Sequence, residues 1–240
     1  MRKDAFRMSR YRHEYKYIMN RCQESILKLK LDGMLSKDRH VGTNEFYAIN
    51  SLYFDDYYNT CYYENENGTD PRAKYRIRYY NDNTSKLSLE KKMKKRGMTL
   101  KQSTPITYEE CQMFMDGKVP IVHEEMSEIK KQLFTEMLMK NMRPKVIVSY
   151  ERIPYVYRTG NVRVTLDRNI TASDQVKLFL KGGYHKRPIL PAGQNVLEVK
   201  WDEVLPAYIK DGMKLDNLQW TAFSKYYLCR KYNTNGGLKI

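Results

Sequence analysis

Alternation of charged and apolar residues is the clearest pattern along this chain. In the stretch 74–80 cations stand at positions 74, 76 and 78, and the other residues are Tyr or Ile. Because the side chains of a strand alternate between its two faces, Lys74, Arg76 and Arg78 share one face, with Arg76 and Arg78 roughly 7 Å apart. A face of three cations either lies in water, paired with acids on a neighbouring strand, or holds an anion.

Four other segments repeat this alternation. Their charged or polar faces carry Arg12, Glu14 and Lys16; Glu90, Lys92 and Lys94; Arg163, Thr165 and Asp167; and Glu198 with Lys200. Apolar residues occupy the opposite face, as at Leu87, Leu89, Val162, Val164, Leu197 and Val199. Strands of this kind predict an antiparallel sheet that curls to remove its edges, packs its apolar side against helices and lines an interior with charge.

The remaining elements follow from periodicity and from turn residues. Helical spacing predicts helices at 20–35, 107–117, 123–142, 206–212 and 223–232. Strands are predicted at 12–18, 45–54, 74–80, 86–94, 145–152, 162–167, 175–180 and 195–201, with a turn at 81–83 and loops at 65–71 and 187–193. Together these elements predict an α+β protein, with residues 1–240 forming a single domain.

Composition points to an anionic partner. The chain has 43 Lys and Arg against 28 Asp and Glu, a net charge of +15. This excess fits nucleic acid, a phosphorylated small molecule, polyphosphate or an acidic membrane surface. No run approaches the roughly 18 apolar residues of a membrane span, and no signal peptide is recognisable, so we expect no transmembrane segment and a cytoplasmic location. The four Cys and four His are dispersed, which excludes a zinc-type spacing.

Eight motifs resemble, in chain order, those of the VTC (vacuolar transporter chaperone) domain. This is the polyphosphate polymerase domain of the triphosphate tunnel metalloenzyme, or CYTH-like, superfamily. The resemblance covers about residues 9–230. The motifs are Arg-x-Glu-x-Lys-Tyr at 12–17, Ser-Leu-Tyr-Phe-Asp at 51–55, Lys-Tyr-Arg-Ile-Arg-Tyr-Tyr at 74–80, Leu-Glu-Lys-Lys at 89–92, Ser-Tyr-Glu-Arg at 149–152, Val-Arg-Val-Thr-Leu-Asp at 162–167, Leu-Glu-Val-Lys at 197–200 and Phe-Ser-Lys-Tyr at 223–226.

The resemblance implies a closed eight-stranded antiparallel β-barrel with flanking helices, whose basic tunnel binds ATP with Mn²⁺ or Mg²⁺. It further implies transfer of the γ-phosphate of ATP to a growing polyphosphate chain, with ATP and inorganic polyphosphate as partners and no nucleic acid. By this resemblance the triphosphate is held by Lys16, Arg76, Arg78 and Arg163. The phosphate path is extended by Lys74, Lys92, Lys101, Lys200, Ser224 and Lys225. Glu198 is the expected metal ligand, and Glu14 and Glu90 either ligate metal too or pair with tunnel lysines.

The chemistry of these residue types agrees with that role. Phosphoryl transfer asks a protein mainly for positioning and for stabilisation of phosphate charge, and a polyphosphate acceptor needs no side-chain nucleophile. Related hydrolases begin with an E-x-E-x-K strand, whereas Arg12 stands at the first Glu position here, which favours the polymerase branch. Two alternatives stay open: a triphosphate hydrolase or cyclase on the same fold, and a non-catalytic module that binds polyanions.

Overall fold

The computed structural model describes residues 11–41, 44–214 and 218–234, so both ends of the predicted 1–240 domain lie outside the described residues. The strands are β1 His13–Asn20, β2 Ser36–Lys37, β3 Tyr47–Asp55, β4 Arg72–Tyr80, β5 Asn83–Lys95, β6 Met98–Ile106, β7 Arg143–Tyr157, β8 Val162–Ser173, β9 Arg187–Pro188 and β10 Gln194–Trp201. The α-helices are α1 Arg21–Met34, α2 Thr60–Glu66, α3 Tyr108–Met115, α4 Glu128–Met139, α5 Ala207–Met213 and α6 Lys225–Thr234.

Eight of these strands form one curled antiparallel sheet in the order β1-β10-β8-β7-β3-β4-β5-β6, and the short β2 and β9 add to β7 and β8. Among the described residues, the backbones of the two edges are joined at a bridge in which Arg12 and Thr99 exchange two hydrogen bonds of 2.9 Å. Farther along β1, its edge pairs instead with a segment near α6, where the Thr221 N–H donates to the Lys16 carbonyl at 2.9 Å. The expected closed barrel is therefore wrong: the sheet is an open half-barrel, because another segment occupies part of the β1 edge that β6 would need.

Helices cover the outer, apolar side of the sheet, as the alternation predicts. One buried cluster joins β3, β4 and β5 to α3 and α4 through residues such as Ile77, Phe114 and Leu133. A second joins β1, β8 and β10 to α1 and α5, with Leu31 and Val199 at its centre. Burying each of these large side chains contributes about 1.5–3 kcal/mol, so the curled sheet is held from outside.

Local signals explain how the main elements begin and turn. Helix α1 starts with a capping box in which Asn20 and Gln23 satisfy each other's backbone N–H groups, and Thr107 and Glu110 do the same for α3. The β4–β5 hairpin turns at Asn81 and Asp82, both at positive φ, which these residue types tolerate better than most.

Several predicted elements differ from the structure. The predicted strand 175–180 is wrong: Val176–Leu178 is a 3₁₀ turn, and the buried Phe179 beyond it packs into the cluster of α3 and α4. An apolar run is ambiguous between a strand and a turn that points side chains inward, and packing decided this case.

The helix predicted at 123–142 spans only Glu128–Met139, and helix α2 and strand β6 have no counterpart among the predicted elements. No described helix has both the length and the apolar character needed to cross a membrane.

Candidate functional site

The concave side of the half-barrel encloses a cavity of about 300 Å³ with a strongly positive lining. Two carboxylates, Glu14 and Glu198, line it together with thirteen cations. The cations are Arg12, Lys16, Arg72, Lys74, Arg76, Arg78, Lys92, Lys94, Lys101, Arg152, Arg163, Lys200 and Lys225. The charged strand faces thus converge on one interior, and the solvated-face interpretation of the stretch 74–80 does not hold.

Twelve of the thirteen site residues predicted from the sequence line this cavity. They are Glu14, Lys16, Lys74, Arg76, Arg78, Lys92, Lys101, Arg163, Glu198, Lys200, Ser224 and Lys225. The thirteenth, Glu90, lies behind the lining, is 2% exposed and forms ion pairs with lining residues.

Glu14 and Glu198 belong to one lysine-bridged network. Lys16 Nζ lies 2.9 Å from Glu14 Oε1 and 3.7 Å from Glu198 Oε2, and Lys200 Nζ lies 2.6 Å from Glu198 Oε1 and 3.5 Å from Glu14 Oε2. Lys92 Nζ donates to both oxygens of Glu14 at 2.7 and 2.8 Å. Burial alone would raise the pKa of Glu14, but the three lysines hold that pKa well below its usual value. Burial also opposes ionisation of Glu198, but Lys200, Arg152 and Lys16 hold its pKa well below the usual value, so both carboxylates are ionised at neutral pH.

Glu90 holds the two arginines of β4 in position. Arg76 donates to Glu90 Oε2 through Nε at 2.7 Å and to the Tyr53 hydroxyl through Nη1 at 2.8 Å. Arg78 donates to Ser51 Oγ at 3.1 Å, and its Nη1 lies 3.8 Å from Glu90. The guanidinium groups are thus fixed before any ligand binds, which preserves their orientation for phosphate oxygens.

Arg152 is a cavity residue that sequence reasoning did not assign, although it ends the Ser-Tyr-Glu-Arg motif. Its Nε and Nη2 donate to the two oxygens of Asp167 at 2.6 and 2.7 Å, and Lys225 Nζ lies 2.6 Å from Asp167 Oδ2. Tyr150, also missed, accepts a hydrogen bond from Arg78 at 3.2 Å. Burial opposes ionisation of its phenol, but Arg152 and Arg78 lower its pKa. Both residues belong to the Ser-Tyr-Glu-Arg motif, but only the fold of β7 shows that their side chains line the cavity.

A further missed cation, Arg72, continues the alternation of β4 two residues upstream of Lys74 and lines the same cavity. Extending the strand pattern by one step would have found it.

Lys74 differs from the other buried cations because no carboxylate among the described residues forms an ion pair with it. Its Nζ donates to Ser224 Oγ at 3.3 Å and lies 5.6 Å from the centre of the Tyr226 ring. Burial, followed by the neighbouring Lys92 and Lys16, lowers the pKa of Lys74 well below its usual value. An anion placed in the cavity would stabilise this ammonium.

A divalent metal fits two of the three predicted ligands. Within the part of the chain that the structure describes, no group of three or more His, Cys, Asp or Glu side chains is arranged to hold a metal. Glu90 pairs with Arg76, Arg78 and Lys101, whereas Glu14 and Glu198 share Lys16 and Lys200. Mg²⁺ usually takes one or two protein carboxylates and completes its shell with phosphate and water, so Glu14 and Glu198 suit it in the presence of a phosphate ligand.

The VTC domain family model matches residues 11–233. Among solved structures, HpAC1 from Hippeastrum, described as a candidate adenylyl cyclase with a dominant triphosphatase activity, is similar with a TM-score of 0.56 and 14% identity, covering 95% of this chain and 96% of that one.

Two further structures have lower scores. The PH1819 protein from Pyrococcus horikoshii OT3 has a TM-score of 0.47 and 14% identity over 92% of this chain and 99% of its own. A candidate adenylate cyclase from Bacillus halodurans has a TM-score of 0.48 and 12% identity over 85% and 89% of the two chains. No curated protein matches the chain. At this identity the likeness to HpAC1 shows a shared fold, and the family rests on the match to residues 11–233.

Proposed function

We propose, since this chain belongs to the VTC domain family, that it is an ATP-dependent polyphosphate polymerase. It would transfer the γ-phosphate of ATP to a growing polyphosphate chain and release ADP. ATP and inorganic polyphosphate would be its partners, and both are polyanions of the kind that a basic cavity selects.

The surplus of cations that line the cavity is the observation that carries this proposal. Thirteen cations line the cavity against two carboxylates. Four further acids pair with some of these cations but are too few to balance them: Glu90, Asp167, Asp38 and Asp202. Lys74 in particular stands opposite Lys92 on the neighbouring strand, and Lys92 and Lys16 add to burial in lowering its pKa. Isolated charges of one sign are costly to bury, so such a cavity is stabilised by an anion with several charges. A triphosphate or a polyphosphate has that chemistry.

The preorganised guanidinium groups support phosphoryl transfer as the reaction type. Arg76 and Arg78 are held by Glu90, Tyr53 and Ser51, and can donate to phosphate oxygens without first reorganising. In phosphoryl transfer the protein contributes mainly this positioning and charge stabilisation. Glu198 and Glu14 would hold Mg²⁺ or Mn²⁺, which would neutralise charge on the phosphates. The acceptor oxygen of polyphosphate is already ionised, so the reaction requires no side-chain base.

Triphosphate hydrolysis is the second candidate. The HpAC1 structure, which shares this fold, is described with a dominant triphosphatase activity. The same cations would bind the triphosphate in either reaction, and the difference lies in whether polyphosphate or water accepts the γ-phosphate.

One assay separates these possibilities. The purified protein is incubated with ATP and Mn²⁺ or Mg²⁺, and ADP, orthophosphate and long phosphate polymers are measured. ADP with polymers supports the polymerase. Orthophosphate without polymers would instead assign a hydrolase, and salt-sensitive ATP binding without turnover would assign a binding module.

Arg76→Ala tests whether the cavity is the site of the reaction. Loss of this preorganised donor is expected to slow ADP formation by about 100-fold or more. Lys181→Ala is the matched control, because Lys181 is an exposed cation outside the cavity lining. Unchanged turnover in Arg76→Ala, with activity present in the wild type, would place the reaction elsewhere.

A further inference from the structure

The two ends of the cavity differ in structure. The segment that leads into α6 crosses one end, where Lys16 Nζ donates to the Phe223 carbonyl at 2.9 Å. Near the other end, Arg163 Nη2 donates to the Tyr47 hydroxyl at 2.8 Å, and the Tyr47 and Tyr80 rings meet edge to face at 5.5 Å. One end is thus crossed by main chain, and the other carries an aromatic pair beside a cation.

Tyr80 lies on the cavity side of β4. It follows Arg78 by two residues and therefore shares its face, and both residues line the cavity. The next residue, Asn81, fixes the end of the strand: its side-chain oxygen accepts the Ala48 N–H at 2.9 Å and its own N–H donates to the Ala48 carbonyl at 3.1 Å. Tyr80 is nevertheless 39% exposed, whereas Tyr47 beside it is 5% exposed.

Trp220 is the other exposed aromatic residue of the lining, and its setting is different. It pairs with Tyr17 on the β1 edge, and its ring contacts Tyr15 with 6.2 Å between ring centres. Tyr15 and Tyr17 lie on the face of β1 opposite to Lys16, so the Trp220 ring packs against a residue of the outer face although Trp220 also lines the cavity. Tyr80 is therefore the exposed aromatic ring that the described strands direct toward the cavity.

The row of cations along β4 ends at this ring. Lys74, Arg76 and Arg78 follow one another on the same face, and the Arg78 guanidinium carbon lies 5.9 Å from the centre of the Tyr80 ring. A ligand whose phosphates occupy these cations and whose remaining part extends past Arg78 would reach Tyr80. Exposed aromatic rings bind nucleobases by stacking, with little dependence on which base is present.

We propose that Tyr80 is the stacking platform for the nucleobase of a nucleoside triphosphate, whose phosphates extend inward past Arg78. This inference rests on the proposed function and adds to it the residue that contacts the base of the nucleotide. The cavity then favours a nucleoside triphosphate over inorganic tripolyphosphate as the donor, and it accepts adenine and guanine nucleotides alike, because the ring contacts the base by its face.

Paired binding measurements test this proposal. Isothermal titration calorimetry with a non-hydrolysable ATP analogue and with tripolyphosphate is carried out on the wild type, Tyr80→Ala and Tyr80→Phe. Tyr80→Ala is expected to weaken binding of the ATP analogue by about 5- to 150-fold and to leave tripolyphosphate affinity unchanged. Tyr80→Phe keeps the ring and should bind both ligands as the wild type does. Tyr58→Ala is the control, since Tyr58 is 77% exposed and lies outside the cavity lining.

The outcomes separate this inference from the function on which it rests. If Tyr80→Ala weakened the binding of both ligands equally, or of neither, the stacking role of Tyr80 would be refuted, but the triphosphate site itself would not. The same holds if the wild type bound tripolyphosphate as tightly as the ATP analogue. A wild-type protein that bound neither ligand would refute the proposed function itself.

Discussion

Asp167→Asn tests whether the buried ion pairs of the cavity hold the fold together. The Asp167 carboxylate is 0% exposed and accepts hydrogen bonds from Arg152 at 2.6 and 2.7 Å, while Lys225 Nζ lies 2.6 Å away. Lys225 is the first residue of α6, so this carboxylate joins the sheet to the helix at one end of the cavity. Asparagine keeps the size of the side chain and removes its charge.

The magnitude follows from the surroundings that remain. Removing one member of a buried ion pair costs about 3–5 kcal/mol, because the other charge stays buried without its partner. Here two cations lose their partner, and Glu198, 3.4 Å from Arg152, compensates only one of them. We expect the free energy of unfolding to fall by about 3–5 kcal/mol, which corresponds to a Tm lower by roughly 6–20 °C for a chain of this size.

The same variant has a defined pH dependence. Burial alone would raise the pKa of Asp167, but Arg152 and Lys225 lower it below its usual value. Since the pKa is lower in the folded than in the unfolded state, the carboxylate stabilises the fold fully above about pH 3.9 and loses this effect as pH falls through the folded-state pKa. The difference between the wild type and Asp167→Asn should be constant near neutral pH and should shrink in acid.

Urea unfolding followed by circular dichroism measures these differences by linear extrapolation. Asp174→Asn is the matched control, because Asp174 pairs with Arg187 at 2.8 Å while both side chains are about half exposed. An exposed pair of this kind contributes less than about 1 kcal/mol. A structural role of the buried ion pairs is refuted if the free energy of unfolding of Asp167→Asn lies within about 1 kcal/mol of the wild-type value, or if Asp174→Asn lowers it by as much as Asp167→Asn does.

Two further substitutions remove a cation and a carboxylate from the cavity, respectively. Lys74→Met removes an ammonium that has no ion pair with a carboxylate of the described residues. Thermal denaturation should therefore show an unchanged or higher Tm, whereas calorimetry should show tripolyphosphate binding weakened by about 10- to 150-fold. A large fall in Tm would contradict this expectation. Glu198→Gln should weaken Mn²⁺ binding in the presence of the ATP analogue by about 10-fold or more, measured by electron paramagnetic resonance. The affinity for tripolyphosphate in the absence of metal should not fall, because the substitution removes a negative charge from the cavity. Glu151→Gln, whose partner Arg168 lies outside the cavity lining, controls for the loss of a carboxylate, and an equal effect there would contradict the assignment.

The sequence by itself determined which side chains share a face. Alternation along β4 placed Lys74, Arg76 and Arg78 together and put Ile77 on the opposite side, and the structure confirms both placements. This information is local, because the two faces of a strand depend only on the order of its residues. The ordered motifs likewise indicate the family, and the family model confirms it. The cytoplasmic location and the 1–240 domain boundaries stay predictions.

Tertiary structure alone decided how the charged faces are paired and where the sheet stays open. The sequence around Glu90 does not distinguish its role from that of Glu14. In the structure, however, Glu90 pairs with the arginines of β4, whereas Glu14 shares lysines with Glu198. The expected closed barrel is a half-barrel because a segment 205 residues away in the chain takes part of the β1 edge, where the Thr221 N–H donates to the Lys16 carbonyl. Such pairings depend on distances between remote residues, and those distances are fixed only when the whole sheet has curled and packed.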